Sequence, residues 1–110
     1  MPSRYDYYGK AVLLTGASGG LGSSLARMLA GEGARLILSA RSKTALGELR
    51  SSLPDPGAAH ILTADLSVPG EAVRLANEAV AVLGGVDVVF NNAGLGYFAT
   101  MEEADEGRLR

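Results

Sequence analysis

A cluster of glycines near the N-terminus has the residue types and spacing of an anion-binding turn. Residues 15–22 read Thr-Gly-Ala-Ser-Gly-Gly-Leu-Gly and follow an apolar run at 11–14. Because glycine has no Cβ, the backbone of such a turn can come close to a ligand. A helix that begins in the turn would point free N–H groups and the positive end of its dipole at an anion. The spacing therefore predicts a site for a diphosphate between a strand and a helix.

Three further segments place polar side chains directly after apolar runs. Arg41 follows the second run, Asp65 and Leu66 follow the third, and residues 91–94 (Asn-Asn-Ala-Gly) follow the fourth. Each segment also has a simpler interpretation, as an exposed arginine, a loop acid or an ordinary turn, because Asn, Asp and Gly favour turns. Ligand binding is favoured for Arg41, and for residues 91–94 because they follow the glycine turn at the right distance, whereas both interpretations of Asp65 stay open.

The apolar pattern of the chain predicts the elements that would position these residues. Runs at 10–15, 35–40, 60–64 and 86–90 indicate buried strands. The segments between them have helical periodicity, and Ser42 is suited to cap the second helix. Alternating strands and helices imply right-handed crossovers, a parallel sheet of order 3-2-1-4 and a crevice between strands 1 and 4. The predicted inward helix residues are Leu21, Leu25, Met28 and Leu29; Leu46, Leu49 and Leu53; and Val73, Ala76, Val80 and Leu83.

Composition excludes several classes of function. The chain has 110 residues, 47% of them hydrophobic, which predicts one domain over 1–110. A net charge of −2 argues against nucleic acid or an anionic membrane as a partner. With no cysteine and a single histidine, His60, no metal site is expected. The sequence has no signal peptide and no run of transmembrane length, so we expect a cytoplasmic protein.

Two motifs together resemble the short-chain dehydrogenase/reductase family. Residues 15–22 fit its Thr-Gly-x-x-x-Gly-x-Gly turn, and residues 91–94 fit the Asn-Asn-Ala-Gly motif of its classical branch. The turn also fits Thr-Gly-x-x-Gly-x-x-Gly of the extended branch, but Asn-Asn-Ala-Gly favours the classical one. The resemblance implies a Rossmann-type α/β fold and a dinucleotide cofactor. The cofactor residues it implies are Gly16, Ser18, Gly19, Gly20, Leu21, Gly22, Arg41, Asp65, Leu66, Asn92, Ala93 and Gly94.

The residues after the second strand favour NADP over NAD. An acid that selects NAD in the family would align with Ala40, and Arg41 stands next to it. A guanidinium suits the 2′-phosphate of NADP. Many NADP-preferring relatives carry a second basic residue where this chain has Gly19. We therefore expect a preference for NADP rather than strict selectivity.

The residues that catalyse hydride transfer in the family have no counterpart in this chain. The family uses a Ser and a Tyr-x-x-x-Lys pair, whereas Lys10 and Lys43 are preceded four residues earlier by Asp6 and Ser39. The resemblance covers residues 8–110, less than half of a typical member. We therefore expect no catalytic residue here, and expect the N-terminal part of a longer, homo-oligomeric oxidoreductase acting on an alcohol or carbonyl. The alternatives are a non-catalytic dinucleotide-sensing module and a remnant that binds nothing.

Overall fold

The computed structural model describes residues 5–92. The predictions for Ala93 and Gly94, and for a helix opened by a capping box at residues 100–103, lie outside this range.

Four parallel strands form the single sheet of the described chain. They are β1 (Ala11–Thr15), β2 (Arg35–Ser39), β3 (Ala59–Ile61) and β4 (Val88–Asn91). Their order is β3-β2-β1-β4, which confirms the predicted topology. β3 is shorter than predicted, although hydrogen bonds from Leu62 to β2 and from Ala64 to Ala40 carry the pairing beyond it.

Helices cover both faces of the sheet. Helices α1 (Gly20–Gly31) and α2 (Lys43–Ser51) pack on one face, and α3 (Glu71–Leu83) packs on the other. A short 3₁₀ turn at Pro56–Ala58 leads into β3. All five residues of the central β1 are buried, because the strand has neighbours on both edges and a helical layer on each face. This double covering explains its continuous apolar run.

The register of the strands brings their carboxyl ends together. Thr15 at the end of β1 lies opposite Ser39 in β2 and Asn91 in β4. The segments that follow β1, β2 and β4 therefore leave the sheet at the same edge. This is the edge where ligands bind in open α/β sheets.

The inward face of α2 was predicted correctly. Leu46 and Leu49 are buried, as is Leu53, which lies two residues beyond the end of the helix. The backbone N–H of Ala45 donates to the Ser42 hydroxyl at 3.1 Å, as expected for an N-cap.

The predicted face of α1 was wrong at two positions. Leu21 and Met28 are exposed, whereas Gly22, Ala26 and Leu29 are buried. The helix approaches the sheet through its smallest residues, because its first turn packs closely against the backbone of residues 16–17. That contact turns the neighbouring Leu21 away from the core.

The predicted face of α3 was also wrong at two positions. Val73 and Val80 are exposed, while Ala76 and Leu83 are buried as predicted. The apolar stripe continues through Leu75 and Ala79. The helix begins at Glu71, after Gly70 in a left-handed conformation, and so later than the predicted start at 67–69. Several sets of apolar residues fit a helical period here, and the set that packs against the sheet is the one with Leu75 and Ala79.

Candidate functional site

An open cleft of about 960 Å³ lies at the carboxyl ends of the strands. We call it the strand-end cleft. It brings together the segments after all four strands and so extends beyond the predicted crevice between strands 1 and 4, because residues after β2 and β3 also line it. Nine of the predicted cofactor residues line it, namely Gly16, Ser18, Gly19, Gly20, Leu21, Arg41, Asp65, Leu66 and Asn92. It is also lined by Thr15, Ser39, Ala40, Ser42, Ala64 and Ser67.

The turn between β1 and α1 presents backbone rather than side chains to the cleft. Gly16 has a φ of 63°, a left-handed conformation that L-residues with side chains rarely adopt. The N-cap of α1 is Gly19, which has no side chain to occupy the first N–H groups of the helix. The first turn of α1 contains no acidic residue. These N–H groups and the helix dipole therefore remain suited to an external anion.

Gly22 was predicted to bind the cofactor, but it does not line the strand-end cleft. A Cβ at this position would lie 2.1 Å from the Gly16 carbonyl oxygen and 2.9 Å from the Ala17 Cα. The absence of a side chain at Gly22 therefore lets α1 pack directly against the turn. Gly20 differs, because nothing lies within 4 Å of the place where its Cβ would be.

A buried hydroxyl joins the ends of β1 and β4. The Thr15 hydroxyl lies 3.3 Å from the Phe90 carbonyl oxygen and 3.2 Å from the Asn91 side-chain oxygen, and it accepts from the Asn92 N–H at 3.0 Å. The Asn92 side-chain amide donates to the Gly16 carbonyl at 3.3 Å. Asn92 therefore holds the glycine turn in place as well as lining the cleft. We did not predict the part played by Thr15, although it is the one polar residue of β1.

The end of β2 holds the other side of the turn. The Ser39 carbonyl oxygen accepts from the Ala17 N–H at 3.0 Å. The Arg41 side chain is exposed and makes no hydrogen bond or ion pair with other residues in the range 5–92. Its guanidinium is therefore available to a ligand in the cleft.

Asp65 faces the cleft from the segment after β3. Its carboxylate accepts from the Ser67 hydroxyl at 2.6 Å and from the Ser67 N–H at 3.1 Å. These bonds hold the pKa of Asp65 below its usual value, and the positive charge of Arg41 acts weakly in the same direction. The next residue, Leu66, is mostly buried and packs in the core beneath α3.

Other kinds of site have no support in the part of the chain that the structure describes. Within it, no group of three His, Cys, Asp or Glu side chains could hold a metal ion. No helix in this part is long and apolar enough to cross a membrane. His60 is exposed on β3 and does not line the cleft.

Comparisons with known proteins agree with this geometry. The family described as short chain dehydrogenase matches residues 10–110. An 11-beta-hydroxysteroid dehydrogenase 1A of Arabidopsis thaliana is 37% identical over 103 residues, which cover 92% of this chain and 30% of that protein.

Two solved structures share the fold. A variant of actinorhodin polyketide ketoreductase with NADPH has a TM-score of 0.71 and 36% identity, covering 78% of this chain and 33% of its own. An NADH-dependent reductase complexed with NAD has a TM-score of 0.68 and 34% identity, covering 81% of this chain and 38% of its own. The chain thus spans about a third of the length of the proteins that it matches. Its match to the family extends over nearly all of its residues, and the chain belongs to the short-chain dehydrogenase/reductase family.

Proposed function

We propose that residues 1–110 form one NADP-binding domain of an oxidoreductase that acts by hydride transfer on an alcohol or carbonyl. The observation that carries this proposal is the uncapped N-terminus of α1, which opens into a cleft lined by the ends of all four strands. Such a terminus suits a diphosphate. The whole protein would act in the cytoplasm as a homo-oligomer, with neither nucleic acid nor membrane as a partner.

The proposed roles follow the position of each residue in the cleft. The diphosphate would lie over the backbone of residues 16–22, with Ser18 as a hydroxyl donor. Asp65 and Leu66 would meet the adenine, because a carboxylate can accept from its amino group. Asn92, with Ala93 and Gly94, would border the nucleoside at the other end of the cofactor.

The preference for NADP rests on Arg41. Its side chain is exposed, lines the cleft and makes no hydrogen bond or ion pair with the described residues, so its N–H groups would be open to a 2′-phosphate. A guanidinium can hold a phosphate with two parallel hydrogen bonds. Ala40 offers no carboxylate to bind ribose hydroxyls in the manner that favours NAD. The similar structures include one with NADPH and one with NAD, so the preference needs a direct test.

The bound cofactor would supply the redox chemistry, because NADPH can give a hydride to a carbonyl and NADP⁺ can accept one from an alcohol. Reduction of a carbonyl leaves an alkoxide that needs a positioned proton donor, and general acid catalysis is worth about a hundred- to ten-thousandfold. The chain contains no Tyr-x-x-x-Lys pair. We therefore propose that the catalytic Ser, Tyr and Lys follow position 110 in a longer protein, and that residues 1–110 alone do not catalyse the reaction at a useful rate.

Titration of NADP and NAD against three variants tests the proposal. Gly20→Val should fold, because its side chain would enter open space. It should weaken the binding of both NADP and NAD, because the side chain would keep the diphosphate of either cofactor away from the glycine turn. Arg41→Ala should lower the affinity for NADP about ten- to a hundredfold and leave the affinity for NAD almost unchanged. Arg27→Ala is the matched control, since it removes one exposed positive charge from α1 outside the cleft.

Each part of the proposal can fail separately. Equal losses for NADP and NAD in Arg41→Ala would show that this residue does not bind the 2′-phosphate. Unchanged binding by Gly20→Val would place the diphosphate elsewhere. A parent chain that binds neither dinucleotide would refute the proposed function. Binding by a complete gene product that lacks Tyr-x-x-x-Lys would favour a nucleotide-sensing module.

A further inference from the structure

One arginine of α3 holds the segment that carries Asp65. The Arg74 guanidinium donates to both carboxylate oxygens of Glu71, at 2.6 and 2.7 Å. It also contacts the Glu78 carboxylate at 2.9 Å. Its third partner residue lies outside the helix, because Nη2 donates to the carbonyl oxygen of Thr63 at 2.9 Å. Arg74 therefore joins α3 to the backbone two residues before Asp65.

A further hydrogen bond fixes the same segment. The Ala64 N–H donates to the Ala40 carbonyl oxygen at 3.0 Å, which ties the segment to the end of β2. The bidentate bond from Arg74 is the main reason why the pKa of Glu71 lies below its usual value. Arg74 and the end of β2 thus hold the backbone at Thr63 and Ala64, directly before Asp65.

A role confined to helix stability does not account for this arrangement. Ion pairs between exposed side chains three or four residues apart add only about 0.3–0.5 kcal/mol to a helix. The bond to Thr63 adds nothing to α3 itself. It does restrict the backbone that presents Asp65 and Leu66 to the strand-end cleft, where both residues form part of the wall.

We propose that Arg74 is a positioning residue for the adenosine end of the cleft, holding the backbone at Thr63 so that Asp65 and Leu66 face the adenine. This inference rests on the proposed function, because it gives Asp65 and Leu66 their ligand. Arg74 itself does not line the cleft. Its effect should therefore reach only the part of the ligand that contacts this wall.

Two probes separate the ends of the cleft. Adenosine 2′,5′-bisphosphate contains the adenosine end of NADP, and inorganic pyrophosphate represents its diphosphate. In the full chain, Arg74→Gln should lower the affinity for the bisphosphate about three- to tenfold, which is the equivalent of one hydrogen bond. Its affinity for pyrophosphate should not change. The matched control is Arg50→Gln. Arg50 also lies on a helix and donates to a loop carbonyl, that of Pro56 at 3.1 Å, but outside the cleft.

A double-mutant cycle distinguishes positioning from general destabilisation. If Arg74 acts through Asp65, then Asp65→Asn with Arg74→Gln should bind the bisphosphate no more weakly than Asp65→Asn alone. Urea unfolding of each variant verifies that it is folded. Arg74→Lys serves as a second variant, because one ammonium group cannot reach the three acceptors that the planar guanidinium spans, and it should also weaken the bisphosphate.

The outcomes separate this inference from the function on which it rests. Equal losses for both probes, additive losses in the cycle, or unchanged bisphosphate affinity in a folded Arg74→Gln would overturn the positioning role alone. A parent chain that binds neither probe nor NADP would overturn the proposed function, and the positioning role with it.

Discussion

Replacing Gly22 with alanine tests whether the close packing of α1 shapes the glycine turn. The new Cβ would lie 2.1 Å from the Gly16 carbonyl oxygen, 2.9 Å from the Ala17 Cα and 3.0 Å from the Asn92 side-chain nitrogen. The two shortest contacts are to backbone atoms, so rotation of a side chain cannot relieve them. Helix α1 must instead move away from the turn by about 1.3 Å or more to restore an ordinary contact.

The expected loss of stability follows from two opposed effects. Forcing an extra methyl group into a packed site costs about 1–3 kcal/mol. Alanine is favoured over glycine within a helix by about 0.5–1 kcal/mol. Because the contact at Gly22 is with backbone, we expect the upper part of the first range and a net loss of about 2 kcal/mol. With an m-value near 2 kcal/mol/M, the midpoint of urea unfolding should fall by about 1 M.

Circular dichroism during urea unfolding, with Gly20→Ala as the matched control, measures this loss. Gly20 is in the same turn of α1, but its Cβ would meet nothing within 4 Å, so the control should be at least as stable as the parent. Gly22→Ala should also bind NADP more weakly, since the N–H groups of α1 move with the helix. A Gly22→Ala variant with the parent's midpoint and NADP affinity would refute the packing argument.

Three further outcomes follow from the structure. Ser42→Ala should lower the free energy of unfolding by about 1 kcal/mol in urea titrations, because it removes the side-chain cap of α2. Asp87→Ala should cost about 1–3 kcal/mol in the same assay and Asp87→Asn less, because the carboxylate accepts from the buried Ala11 N–H at 2.8 Å. Since the hydrogen bonds from Ser67 hold the pKa of Asp65 below its ordinary value, the stability that Asp65 contributes is present above the unfolded pKa and is lost as the pH falls through the folded pKa. As the pH is lowered from 4, the midpoint of urea unfolding should therefore fall less for Asp65→Asn than for the parent.

The strand order was predictable because it follows from chain geometry rather than from particular contacts. Alternating strands and helices of this length require crossovers of one hand, and the polar residues after each strand mark the edge where ligands bind. The inward face of α2 was predictable because the large apolar residues of that helix, Leu46 and Leu49, form a single set at helical spacing. In α1 and α3, apolar residues also lie on the outer surface. There the helical period alone allowed more than one face, and Leu21 and Val73 were wrongly placed inside.

The parts of the site that we did not predict depend on contacts between segments. Thr15 reads in the sequence as an ordinary strand residue, and Arg74 reads as a charged residue on a helix surface. Their importance comes from partners elsewhere in the chain, the end of β4 for Thr15 and the carbonyl of Thr63 for Arg74. No local pattern encodes these partners, because pattern and spacing describe only neighbours along one element.

The bond between Asn92 and Gly16 links residues that are 76 positions apart, and this separation has a consequence for folding. Contacts so distant in sequence carry a large entropic cost of loop closure, and proteins dominated by them fold slowly. The glycine turn therefore lacks the hydrogen bond from Asn92 until β4 has joined the sheet beside β1. A dinucleotide that binds only the completed cleft would stabilise the folded chain by mass action, by about 2.7 kcal/mol at a hundred times its dissociation constant. The cofactor would then increase the population of chains in which β4 is paired with β1, independently of its part in any reaction.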